Sequence, residues 1–181
     1  MVAPPPEIME IWDRLNLRRR YVGVAGVDAH AFPVPIGPLR VEIFPYKVHF
    51  RSLRTHIILD RPFSHDFAEA RDQLYDAFRR CRVFISNMRW GSADSFSFVA
   101  HSGGKEYICG DSVENGKPVT FELRLPDHAE ISLIRNGEKI SGKTGTNLSY
   151  ETETSGLYRV EVYKGKRGWI FSNHIRVGVD G

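Results

Sequence analysis

From about residue 91 to its end the sequence alternates in steps of two and never in steps of 3.6. Runs such as "SFSFVAHS", "PVTFELRLP", "EISLIRNGEKI", "LYRVEVY" and "WIFSNHIRVGV" place apolar and polar side chains on opposite sides, punctuated by Gly, Asn and Pro. Asn136-Gly137 within "RNGEK" is a two-residue hairpin turn, because both residues accept positive φ. About seven short strands with no helix between them predict an antiparallel β-sandwich over residues 91–181. Tyr158 and Trp169, on the last strands, are expected to fill its core.

Residues 1–90 read differently. "PPPEIMEIWDRLNLRR" opens on prolines and continues as an amphipathic helix with Ile8, Ile11, Trp12 and Leu15 on one face. "YVGVAG" reads as a short buried strand, "AFPVPIGP" as a proline-rich loop and "LRVEIF" as an alternating segment. "SLRTHIILD" and "VFISNM" are strands around a helix capped by Ser64 or Asp66, with Phe67, Ala70, Leu74, Ala77, Phe78 and Cys81 on its inner face. This half is therefore α/β, with the boundary near "NMRWGSADS". Two or three βα units are too few to close a barrel, so the segment is expected to be the C-terminal piece of something larger.

Charge narrows the partners. The net charge is +3; residues 1–90 hold 14 basic against 10 acidic residues and residues 91–181 hold 11 against 12. Arginines in "RLNLRRR" and "FRRCR" would suit an anionic substrate, but there is no basic excess or interleaved aromatic stacking, so nucleic acid is not an expected partner. No apolar run approaches a membrane span and the first residues are not a signal peptide, which gives a cytoplasmic expectation. Cys81 and Cys109 share no motif and are expected to be buried and reduced.

The chemistry-bearing motif is "VDAH". In an extended segment Asp28 and His30 point to one side, and a carboxylate with an imidazole suits zinc, manganese or iron. The same tripeptide also fits a plain turn after a strand. "SGKTG" lies among strands and reads as a hairpin loop, not a phosphate loop, and no G-x-S-x-G elbow marks a serine nucleophile. His49 and His56 sit in apolar strands and are expected to be hydrogen-bonded core residues, with His65 solvated at a helix start.

"WDRL…YVGVAGVDAHAF" resembles the final metal-binding motif of the PHP (polymerase and histidinol phosphatase) metallohydrolases, where a "WDRLL" helix precedes a strand ending in Gly-Ser/Thr-Asp-Ala-His. The resemblance continues through "FPYKVHFRSLRTHIIL", "LIRNGEKI", "GLYRVEVY" and "WIFSNHIRV", as in large bacterial members related to carbaryl hydrolases, whose barrel is followed by an Ig-like β domain. It implies a partial PHP-type βα-barrel segment at 1–90 and an Ig-like sandwich at 91–181. It further implies that Asp28 and His30 are metal ligands, and that the parent hydrolyses a phosphate or other ester. Val27 stands where Ser or Thr is usual, and His174 where the family has Pro. No H-x-H pair is present, and a catalytic zinc takes about three protein ligands. The chain is thus expected to lack a complete site and to have no catalytic residue of its own. Its expected associations are with the missing N-terminal half or with a second copy. The alternative is a non-catalytic β-sandwich binding or interaction module.

Overall fold

The computed structural model describes residues 3–43 and 45–179, so Phe44, which closes "LRVEIF", lies outside the described residues. The elements are α1 (Pro6–Asn16), β1 (Phe32–Ile36), β2 (Leu39–Ile43), α2 (Tyr46–His49), β3 (Leu53–Ile57), α3 (Phe67–Arg79) and β4 (Val83–Asn87). They continue as β5 (Ser97–Ser102), β6 (Lys105–Tyr107), β7 (Ser112–Val113), β8 (Val119–Arg135), β9 (Glu138–Thr152), β10 (Gly156–Lys164), β11 (Arg167–Ser172) and β12 (Ile175–Val177).

The architecture is mostly antiparallel β, a curled sheet with few helices. Strand order is β3-β4-β11-β10-β8-β5-β6, with β9 alongside β8, and β12 joining β10 to β7. The long strand β8 serves three neighbours. Residues 130–135 pair with β10 and residues 120–124 with β5, while β9 follows both parts with a register break between Arg124 and Ala129. That break lets one strand turn from one wall of the core to the other. Phe121, Leu123, Ile131, Leu133, Tyr158 and Trp169 are fully enclosed between the walls. Tyr158 donates to the Thr154 carbonyl and Trp169 to that of Gly91, so each polar tip is satisfied.

The Asn136-Gly137 turn forms as read, with φ of 53° and 91°. "SGKTG" does not make a loop: it lies inside β9, opposite residues 129–133 of β8. The separate runs on either side of it are one strand, because the long β8 ladder continues past each glycine.

The first half departs further from expectation. β3 and β4 pair antiparallel, Thr55 against Ile85, although α3 connects them, so no parallel βαβ ladder forms there. β4 then pairs with β11, carrying the same sheet across residue 91. Asp66 caps α3 by accepting from the Glu69 amide at 2.9 Å. α3 buries Ala77, with Cys81 buried just beyond its end, and leaves Phe67 exposed. The proline-rich segment is strand β1, paired with β2 around Gly37-Pro38.

"YVGVAG" makes no ladder. Its backbone is held by side chains instead: Asn173 accepts from the Gly23 N–H at 2.8 Å and donates to the Gly23 carbonyl at 3.0 Å, and Thr55 accepts from Ala25 at 3.1 Å. A buried amide thus does the work of a neighbouring strand. Gly23 must be glycine here, because a Cβ would sit 2.6 Å from the Trp12 ring.

α1 also docks by only part of its apolar face, with Trp12 and Leu15 half-buried. Ile8 and Ile11 are exposed, while Asp13 and Asn16 are buried. Asp13 accepts from Arg159 Nε and Nη2, and from His174 Nε2, each at 2.7 Å. An ion pair between residues 146 positions apart therefore outranks the hydrophobic stripe in orienting the helix.

Candidate functional site

Asp28 and His30 follow the tethered "YVGVAG" segment and lie at the surface, their side chains 92% and 62% exposed. They converge: His30 Nδ1 is 3.4 Å from Asp28 Oδ1 and 3.0 Å from the Asp28 carbonyl oxygen. Extended alternation is not what joins them. Asp28 has φ +45°, a left-handed conformation that Asp tolerates, and this local turn folds the two side chains together. Because a carbonyl can only accept, Nδ1 is the donor, and in the neutral ring Nε2 keeps its lone pair. A backbone carbonyl holding one ring nitrogen so that the other can ligate is the usual support of a metal-binding histidine.

The donor set is a carboxylate and an imidazole, suited to zinc, manganese or iron. It stops at two. Among the described residues no group of three or more His, Cys, Asp or Glu is placed to hold a metal. A divalent ion bound here needs further ligands from another polypeptide or from solvent.

Exposed apolar side chains are concentrated in the same part of the chain. The fifteen large hydrophobic side chains exposed among the described residues all fall between residues 8 and 75, including Val24, Phe32, Leu39 and Phe50. The enclosed cluster, by contrast, runs from Ala93 to Val177. Single exposed apolar residues are ordinary; their confinement to residues 8–75 sets this part of the described chain apart from the enclosed β core.

The other histidines do not join the pair. His56 Nε2 lies 2.7 Å from Ser86 Oγ, and its ring stacks on Phe84 at 4.3 Å. Burial lowers its pKa, as expected for a core histidine. Ser86 is fully buried, so this Ser–His contact offers no reachable nucleophile. His49 ends the helical turn α2 and is not in a strand, because Pro45 starts a helix there. His65 is exposed at the start of α3.

His174 belongs to a network that no motif announced. Burial holds its imidazole below the ordinary range, outweighing the nearby Asp13 carboxylate. Burial alone would raise the Asp13 carboxyl, but hydrogen bonds from Arg159 and His174 bring it below the usual value. Arg159 also donates to Glu161 at 2.6 Å and lies over the Trp12 ring. The sequence signal was His174 itself, standing where the pattern this chain resembles has Pro. Cys81 and Cys109 are free and buried, and burial pushes the Cys109 thiol up to about 12, which makes it unreactive.

No family model, curated protein or solved structure matches this chain. No helix among the described residues is long and apolar enough to cross a membrane.

Proposed function

We propose that this chain is the C-terminal portion of a PHP-type metal-dependent hydrolase, with Asp28 and His30 supplying two ligands of a centre completed by other polypeptide. In this reading residues 1–90 are the last part of the catalytic body, and residues 91–181 an Ig-like accessory domain joined to it through the β4–β11 ladder. The observation that carries it is a converging, exposed carboxylate–imidazole pair in the part of the chain where, among the described residues, the large exposed apolar side chains lie. The Asp28 carbonyl orients His30, and the Asn173 and Thr55 tethers hold the approach to the pair. A divalent metal there would activate water and draw charge from a phosphate or other ester.

With Mn²⁺ or Zn²⁺ added, the chain alone should hydrolyse an aryl phosphate at no more than the background rate of the metal. The reading frame just upstream should encode an H-x-H-bearing segment. Robust turnover abolished by Asp28→Ala would overturn the claim of an incomplete site, and an unrelated upstream frame would overturn the parentage.

A second reading has its own support. The outer face of β5, β6 and β8 carries an open hollow of about 490 Å³ lined by Ser97, Val99, His101, Glu106, Glu122 and Arg124. A charged ligand held there, with no metal at Asp28, would favour a non-catalytic binding module.

A further inference from the structure

Asn-Gly occurs twice in the chain, at Asn115-Gly116 and at Asn136-Gly137. Asparagine is a thermolabile residue, because the backbone nitrogen that follows it can attack its side-chain amide. A following glycine has no Cβ to obstruct that approach. The fold treats the two pairs in opposite ways.

Asn136 is pinned at both ends. Its Oδ1 accepts from the Leu157 N–H at 2.8 Å, and its own N–H donates to the Leu157 carbonyl at 3.0 Å. It also holds φ +53° in the turn that closes β8 and β9, with Arg135 paired to Glu138 just beyond it. Turning this side chain onto the Gly137 nitrogen costs the Leu157 bond and distorts the turn.

Asn115 is arranged for the attack. It is exposed in the loop between β7 and β8, and a Cβ on Gly116, which has φ +83°, would meet nothing within 4 Å. The Gly116 nitrogen lies 3.0 Å from Asn115 Oδ1, so nucleophile and side-chain carbonyl sit side by side in open space. Ser155 Oγ donates to the same Oδ1 at 3.0 Å. Negative charge gathers on Oδ1 as nitrogen adds to the carbonyl carbon, and a hydroxyl already aimed at that oxygen stabilises it.

We infer that Asn115 is a site of spontaneous deamidation assisted by the Ser155 hydroxyl, and that the fold protects Asn136. The Gly116 nitrogen bonds to Asn115 Cγ, the Cγ–Nδ2 bond breaks, and ammonia leaves with the proton that the nitrogen gives up. Water then opens the cyclic imide at either carbonyl. Opening at Cγ gives aspartate. Opening at the Asn115 main-chain carbonyl gives isoaspartate, whose backbone runs through the former side chain and is longer by a methylene.

The change falls on a joint. A Cβ on Gly178 would lie 2.9 Å from Asn115 Cγ and 2.7 Å from Ser155 Oγ, so the β7–β8 loop, the approach to β10 and the end of β12 meet at this side chain. The Gly178 N–H donates to the Val113 carbonyl there at 2.9 Å. Isoaspartate lengthens the loop at that point and loosens the tie between β12 and β7. The site is independent of Asp28 and His30 and of either functional reading.

The test is incubation of the full chain in mildly alkaline buffer at physiological temperature, native and in urea, with both asparagines followed by peptide mapping and mass spectrometry. Enzymatic methylation of isoaspartate distinguishes the two products. In urea the two pairs should convert at similar rates. In the native chain Asn115 should convert roughly tenfold faster than Asn136, the factor set by the hydrogen bond that Asn136 must break. Ser155→Ala should slow Asn115 several-fold and Ser155→Thr restore most of the rate, with circular dichroism and the Asn136 rate unchanged. The aged chain should exchange the Gly178 N–H faster than the fresh one, an effect absent from Asn115→Gln. Equal native rates at the two asparagines, or a faster Asn136, would overturn the inference. An unaltered rate in Ser155→Ala removes the hydroxyl from the mechanism, and unchanged Gly178 exchange in the converted chain refutes the loosening.

Discussion

Asp13→Ala strikes the contact that fastens α1 to the sheet. The carboxylate takes two hydrogen bonds from Arg159 and one from His174, all at 2.7 Å, with the Asp13 and Arg159 side chains 4% and 2% exposed. Removing one member of a buried pair leaves the other charge uncompensated, at a cost of about 3–5 kcal/mol. The orphaned His174 donor adds about 1–3 kcal/mol. Glu161, still 2.6 Å from Arg159, offsets part of this, so a net loss of about 3–4 kcal/mol is expected. With a urea m-value of about 2 kcal/mol/M, the unfolding midpoint should fall by roughly 1.5–2 M. Tryptophan fluorescence is the natural probe, because Trp12 lies on α1 with its ring 4.5 Å from His174. A midpoint shift below about 0.5 M would show that the ion pair does not anchor the helix, and would return that role to packing.

The same network gives the pH dependence its sign. Asp13 and His174 both have folded pKa values below their ordinary ones of 3.8 and 6.5. Each therefore contributes stability that is fully present above its unfolded value and lost as pH falls. Urea midpoints should be flat above pH 7, decline as pH drops through 6.5, and decline again below about 4, with the acidic limb missing in Asp13→Ala. Asn173→Ala removes the amide that bonds Gly23 and the Val83 carbonyl, at about 2–4 kcal/mol, and hydrogen exchange at residues 23–25 should accelerate while the β8–β10 ladder stays protected. Unchanged exchange there would mean the segment is held otherwise. Gly110→Ala meets both φ +91° and an Arg80 carbonyl oxygen 1.8 Å from the new Cβ, so the melting temperature should drop by roughly 10 °C. A drop under about 2 °C would show that the loop yields freely.

What could be read in the chain was what neighbours in sequence control. Asn136-Gly137 turns because those two residues accept positive φ, and the period-two runs became strands because alternation suits a half-buried sheet. Asp66 caps α3 through its own near amide. Asp28 and His30 do converge, but through a left-handed residue at Asp28 and not through the extended alternation that the sequence suggests. The inward polar face of α1, the strand made from "FPVPI" and the unladdered "YVGVAG" were not legible. Two of these depend on partners far along the chain, Arg159 at 146 positions from Asp13 and Asn173 at 150 from Gly23, while "FPVPI" pairs with its neighbour β2 against the weak strand tendency of its prolines. Local pattern sets which residues are extended and where the backbone reverses. Which side a helix presents, and which apolar side chains stay exposed, follow from buried hydrogen bonds and charges whose pairing exists only once distant segments have met.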